Sequence, residues 1–411
     1  MDRRQFVLGT GIAAGGILVG PAQASAADEW DAVRRQFPLD PDLINFAHFF
    51  LTTHPRPVQA EIERLRRWLE PNTHVITYDS LRRLQQETAE ALAGYIGGRP
   101  DDIALTQNTT TGMTLAYATL KIKPGQELLV NDQDHTVHRV AAQRAAERAG
   151  GTYREVSLYA HSGKATVDEI AGKLRAAITS RTRVVGMTWV QSSTGVKMPI
   201  RVLADVVAEA NRGRAEEDRC LLIVDGVHGF AAVDDDPAKL GADVFATGTH
   251  KWLFGPRGTG FLWVKPGMIS HFTPIGQSFD SRSATSALSI GGFTAFEYQY
   301  AVPAAVKFHQ RIGRPRVAQR VTTLSGQLRD GLAGMRNVVL WTPRDPALSA
   351  GMTCFDVNGH NGDQVVTHLR SQGIQITTAA YRIPYARIST SILNTPAEVE
   401  TVLRRTAELA R

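Results

Sequence analysis

The chain has 411 residues, 43% of them hydrophobic and 21% charged, enough for a large core and unlike a fibrous or disordered polymer. Its formal charge of +6 and pI near 9.4 arise from interspersed basic and acidic residues, so no basic patch points to nucleic acid. The two cysteines, Cys220 and Cys354, sit in apolar strand-like runs that suit buried free thiols, although an oxidising compartment would let them pair.

The amino terminus reads as an address. Arg3-Arg4 before Gln5-Phe6-Val7-Leu8, the Gly-rich apolar stretch 9–19 and the small-residue site Ala22-Gln23-Ala24 form a twin-arginine leader, residues 1–26. That stretch is too short and glycine-rich to span a bilayer stably. The expected location is the periplasm or the exterior, without stable membrane insertion after cleavage; an uncleaved anchor is the alternative.

Helices are predicted over 30–37, over 55–70 with Ile62, Leu65 and Leu69 on one face, and over 78–96. From 103 onward strands at 103–106, 127–131, 153–156, 184–188, 221–225, 244–246 and 260–264 alternate with helices at 111–120, 137–149, 167–178 and 200–211. This pattern predicts an α/β fold with a mainly parallel seven-stranded sheet covered on both faces, its catalytic groups at strand ends. Thr106-Gln107-Asn108-Thr109-Thr110-Thr111-Gly112, where a strand opens into a helix, suits a phosphate or an ordinary N-cap. Asp134-His135 follows the strand at 127–131; the imidazole could stack on a flat ring or lie on the surface. His135 and His138 lack a further His or Cys ligand nearby, so no metal is expected. Asp225 ends a buried run, where a carboxylate is costly unless it pairs with a cation such as a protonated ring nitrogen; capping the next turn is the alternative.

Residues 212–219 read as a solvated loop and Asp234-Asp235-Asp236 as an acidic turn. Lys251 follows the strand at 244–246 and the polar turn 247–250, ahead of a second strand at 258–264. An ammonium between apolar walls is desolvated, which lowers its pKa and offers a neutral amine as nucleophile toward an aldehyde; a buried structural lysine would fit the same turn. Only nine lysines occur, so few compete for that role. Beyond 289 an α+β pattern follows: a long helix over 298–329 broken near Gly313 and Pro315, strands at 338–340, 352–356 and 374–377, and helices at 362–372 and 396–410. Arg387 lies in a strand-like run before the last helix, where a guanidinium suits a substrate carboxylate or a structural salt bridge. The expected division is the leader, a segment 27–55 packed with the small domain, a large domain 56–288 and a small domain 289–411.

The order of these elements resembles the class V aminotransferase family, pyridoxal 5′-phosphate (PLP) enzymes of fold type I, over nearly the whole chain after the leader. Val224-Asp225-Gly226-Val227-His228-Gly229 and His250-Lys251-Trp252-Leu253, with Pro256-Arg257-Gly258-Thr259-Gly260-Phe261-Leu262, are similar to the isopenicillin N epimerase-like branch. That branch includes twin-arginine-exported periplasmic members that tailor siderophore peptides. The resemblance implies PLP held covalently by Lys251, which then moves the Cα proton. It implies Asp225 on the pyridine nitrogen, His228 near the ring hydroxyl, His135 stacked on the ring, and Thr109, Thr110, Thr111 and His250 at the phosphate. Arg387 would bind the substrate carboxylate beside Ser192, in a homodimer whose substrate is a small-molecule or peptide amine.

Some positions depart from the family. Thr111 stands where many relatives carry Glu, Ser192 where many carry Asn, and the Gly-Thr that often reaches a neighbouring subunit's phosphate has no clear counterpart in 291–297. Cysteine desulfurases need a cysteine on a late loop, whereas 373–387 holds Thr377 and Thr378 but no cysteine. The expected function is transamination or a related Cα-deprotonation of an amino acid or a modified-peptide residue. Epimerase or lyase chemistry, or a PLP-binding protein without turnover, are the alternatives.

Overall fold

In the computed structural model residues 26–379 and 381–410 are described, and the leader, apart from Ala26, lies outside them. The chain begins with helix α1 (Ala26–Arg34), strand β1 (Ile44–Asn45) and helices α2 (Arg56–Leu69) and α3 (Tyr78–Ile96). Helix α2 buries Val58, Ile62 and Leu65, one face at helical spacing, and leaves Leu69 half-buried. A capping box between Thr77 and Ser80 opens α3.

The central elements follow in strict alternation: β2 (Ile103–Thr106), α4 (Thr109–Thr119), β3 (Glu127–Asn131), α5 (Thr136–Ala149), β4 (Thr152–Val156), α6 (Val167–Ala177), β5 (Thr182–Thr188), α7 (Ile200–Ala210), β6 (Leu221–Asp225), then β7 (Val244–Gly248) and β8 (Gly260–Val264). They form one sheet in the order β2-β8-β7-β6-β5-β3-β4, in which only β8 runs against the rest. Period-two alternation decides which face each residue feeds. Leu222, Val224 and Phe245 enter one core with α6 and α7, while Leu221, Ile223 and Val244 enter another under α4 and α5. With both faces covered, the central strands read as continuous apolar runs.

Strand β7 is longer than its apolar run, because Thr247 and Gly248 still pair with Phe261 and Gly260; the turn before Lys251 therefore begins only at Thr249. The loop 212–219 is not merely solvated. Arg214 donates to the carbonyls of Thr179, Thr182 and Ala210 and staples the loop to the foot of β5. Asp234 and Asp236 hold Arg314 at 2.9 and 2.6 Å. Both cysteines are buried free thiols, pushed up to about 12 by burial.

The last third contains α8 (Phe296–Gln299), α9 (Val302–Ile312), α10 (Arg314–Ala333), β9 (Val338–Leu340), β10 (Met352–Val357), α11 (Gly362–Arg370), β11 (Ile374–Gln375), β12 (Thr377–Thr378), β13 (Ala386–Ser389) and α12 (Pro396–Leu409). The long helix expected over 298–329 is three helices; Gly313, with φ of 96°, separates α9 from α10. The single strand expected over 374–377 is two. Strand β11 pairs in parallel with β1, whereas β12 joins an antiparallel sheet ordered β12-β13-β10-β9. The N-terminal segment is thereby stitched to the last third: Phe46 enters a core with Leu324, Phe355 and Ile388, and Arg34 pairs with Glu398.

Candidate active site

The C-terminal ends of β3, β5, β6 and β7 and the start of α4 surround a cavity of about 180 Å³. This is where an open α/β sheet offers free backbone groups and loops. Asp225 closes β6 with 4% of its surface exposed, and one carboxylate oxygen accepts the Val227 N–H at 3.0 Å. Burial raises its pKa to about 6 against the opposing pull of that bond and of Lys251. The next residue must be glycine: a Cβ on Gly226 would lie 1.9 Å from the Phe245 ring. Gly226→Ala is therefore expected to cost about 3 kcal/mol through overpacking, measured as a fall in the urea midpoint of unfolding, with lost activity as Asp225 is displaced.

Lys251 extends into the cavity, and its Nζ lies 3.3 Å from His228 Nε2. Desolvation lowers its pKa to about 8, opposed by Asp225 and aided by Arg387. Trp252 Nε1, which can only donate, meets His228 Nδ1 at 3.4 Å. His228 is held neutral first by burial and then by the charges of Lys251 and Arg387. A neutral imidazole that accepts at Nδ1 carries its proton on Nε2, so the contact with Lys251 becomes a hydrogen bond to the amine once the lysine loses its proton.

His135 caps α5, its Nδ1 accepting the Val137 N–H at 3.2 Å, which fixes the ring at the cavity wall. His138 turns inward instead, 2.8 Å from the Tyr117 hydroxyl, so the two histidines do not converge. Asp134, to which the sequence assigned no role, ties two strand ends together by accepting the N–H groups of Thr188 and Asn131 at 2.9 and 3.1 Å. At the start of α4, Asn108 accepts both the N–H and the hydroxyl of Thr111, at 2.9 and 3.2 Å. Thr111 is thus part of the helix cap and does not line the cavity, in contrast to the expectation that it meets a phosphate. Thr109 and Thr110 do line it, and their N–H groups precede the first intrahelical bond. A Cβ on Gly248 would lie 3.0 Å from His250 Nδ1 and 3.4 Å from Thr109 Oγ1, so these groups surround one point.

Arg387, on β13, stands beyond Ser192. Its guanidinium donates to the Ser192 carbonyl at 2.8 Å, to Thr377 Oγ1 at 3.1 Å and to the Thr378 carbonyl at 3.3 Å. No carboxylate among the described residues pairs with it, so it is a nearly buried cation held by neutral acceptors alone. Phe49 lies beneath it, ring centroid 4.4 Å from the guanidinium carbon and 5.8 Å from the His228 ring. The Ser192 hydroxyl bonds that of Tyr381. Phe49 and Tyr381 carry no signal of their own in the sequence: the first is one of several aromatics in 46–50, and the second lies in a loop without regular periodicity.

The profile of aminotransferase class-V matches residues 72–402. Isopenicillin N epimerase of Amycolatopsis lactamdurans is 29% identical over 94% of this chain and 100% of its own length. A cysteine desulfurase of Klebsiella pneumoniae is 23% identical over 80% and 83%. Among solved structures, a C-DES mutant with glycine covalently linked to the PLP cofactor superposes with a TM-score of 0.83 at 22% identity, covering 91% of this chain and 99% of that one.

PLP, the cofactor of this family, fits the donor set. His250 Nδ1 is buried at the cavity without a partner, beside the open start of α4 where a phosphate would sit, and Asp225 is placed for a protonated nitrogen. The matched span, the doubly covered sheet and the unpaired nitrogen of His250 agree, and the chain belongs to the class V aminotransferase family, as a PLP-dependent protein of fold type I similar to isopenicillin N epimerase.

Proposed function

We propose that the protein removes the Cα proton of an amino acid, free or as a residue of a modified peptide, with Lys251 as the base, leading to transamination. The observation that carries this reading is the Lys251 amine, its pKa lowered to about 8 by burial, within reach of His228 and beside Asp225. When bound, PLP supplies an aldehyde for amines and a ring that draws electrons from Cα. Asp225 holds a positive nitrogen, Thr109, Thr110 and His250 hold an anion, and His135 covers the cavity wall. Arg387 takes the substrate carboxylate, since a guanidinium without a counter-charge gains most from a bidentate anion. Epimerisation is the second reading, favoured by the likeness to isopenicillin N epimerase over the whole length of that relative.

Location and assembly belong to the same proposal. The twin-arginine pattern supports export to the periplasm or beyond, and the exported members of the branch favour a substrate carried on a siderophore-like peptide. An apolar surface formed by Ile275, Phe279, Ile290 and Phe293, the last 79% exposed, supports a homodimer.

The test is Cα–H exchange. Holoenzyme in D₂O is offered a panel of amino acids, and loss of the Cα hydrogen is followed by NMR. Exchange is expected to rise as pH climbs through about 8, where the lysine loses its proton, and to level off above. A holoenzyme whose cofactor absorbance is unmoved by every amine, with no exchange, is a binding protein and refutes the proposal.

A further inference from the structure

Beyond β5 the chain forms a hairpin in which Val190 pairs with Lys197, and Ser192, near its tip, lines the cavity of Lys251. Lys197, at its base, lines another. This second cavity, of about 460 Å³, lies between that base, the loop after β6, helix α10 and residues 349–350, and it shares no lining residue with the first. Its size suits a small molecule, for which roughly 300–1,000 Å³ is usual. The Lys197 N–H donates to the Leu348 carbonyl at 2.8 Å and Val196 pairs with Ser349, so backbone contacts join two of its walls.

Lys197 is half-buried, and its Nζ has no hydrogen bond or ion pair among the described residues. The carboxylate of Asp235, on the same cavity, has none either. The two are not paired with each other, yet the field of one reaches the other: burial lowers the Lys197 pKa, and Asp235, then Asp345, oppose that shift. The neighbouring Asp234 is already held by Arg314 at 2.9 Å. A lone anion drawn to Lys197 is repelled by Asp235, and a lone cation meets the reverse. Both charges are answered only by a molecule that carries one of each sign.

We propose that this cavity is a second ligand site, for a small zwitterion such as a free amino acid, with the carboxylate on Lys197 and the ammonium on Asp235. Each contact gives an unpaired charge a charge-assisted hydrogen bond. The other lining groups supply the remaining bonds: the Thr322 and Thr323 hydroxyls, without a partner among the described residues, can donate to the carboxylate. The Ser349 hydroxyl gives its proton to the Asp345 carbonyl at 2.7 Å and is left to accept from the ammonium. The proposal does not depend on the reaction at Lys251, because the two cavities have no residue in common.

The experiment acetylates holoenzyme with an N-hydroxysuccinimide ester and reads Lys197 against the exposed Lys164 by peptide mass spectrometry. The probe is N,N-dimethylglycine, a zwitterion whose tertiary nitrogen cannot condense with the PLP aldehyde. At about 10 mM, ten times a millimolar Kd, it is expected to slow acetylation of Lys197 about fivefold or more. Isobutyrate or trimethylamine alone, each with one charge, should slow it less than about twofold at the same concentration. Asp235→Asn should abolish the protection and leave the visible absorbance of the cofactor unchanged. Equal protection by isobutyrate, or undiminished protection in the variant, marks a simple anion site and overturns the proposal. No protection by N,N-dimethylglycine overturns it, and so does a Lys197 that resists acetylation without any ligand, since its amine then faces no open cavity.

Discussion

Lys251→Ala is expected to lose turnover by on the order of 10⁴-fold and to lose the visible absorbance of covalently held cofactor, while the fold survives. The side chain packs against a polar cavity rather than inside either core, so its removal leaves no apolar void. The main structural consequence is at His228, whose Nε2–H loses its acceptor and turns to water entering the cavity. PLP remains able to bind through Asp225 and the start of α4, but without its covalent link, and it should wash out on dialysis. Absorbance before and after dialysis, together with single-turnover kinetics, checks this. A variant that keeps both the absorbance band and turnover would falsify the assignment of Lys251.

Asp225→Asn is expected to cut kcat by about 10²- to 10³-fold, the usual scale for removing one preorganised charge from a buried site. The amide still accepts the Val227 N–H, so the loss reports the charge and not the turn. Stability should move the opposite way. A carboxyl raised from 3.8 to about 6 contributes most while protonated, and that contribution is lost as pH rises through 6. The amide does not titrate. The apoprotein variant should therefore gain roughly 2–3 kcal/mol over the wild type at pH 7 and lose that advantage near pH 4, read by urea unfolding at the two pH values. Equal stability at both would mean that the carboxylate is not desolvated.

Much of the scaffold was legible because its signals are local. Leu221 to Asp225 is an apolar run with one carboxylate at its end, and chain geometry alone places that carboxylate at the edge of a sheet. Lys251 and Arg387 stood out as charges bordered by apolar neighbours. What escaped depends on partners far away in sequence. Tyr381 becomes a site residue through Ser192, 189 positions earlier, and Ile374 and Thr377 part company because one neighbour finds β1 and the other finds β13. Thr111 went the other way: its type suited an anion, but the side chain three residues before it claimed both of its donors. Asp134 was passed over because two backbone N–H groups from different strands give it its role, and no spacing in the sequence encodes that.

The pairing of β1 with β11 bears on how the molecule is made. Residues 34–49 leave the ribosome early, yet the partner of Arg34 is Glu398, 364 positions later, and Phe49 reaches its place only when Arg387 exists to lie over it. Contacts of such long sequence separation close the largest loops and form late, so the central sheet can collapse while the wall nearest the substrate is still open. The segment synthesised near the start of the chain is thus among the last to be placed. A chain halted before α12 would retain the whole central sheet and lose the carboxylate that pairs with Arg34.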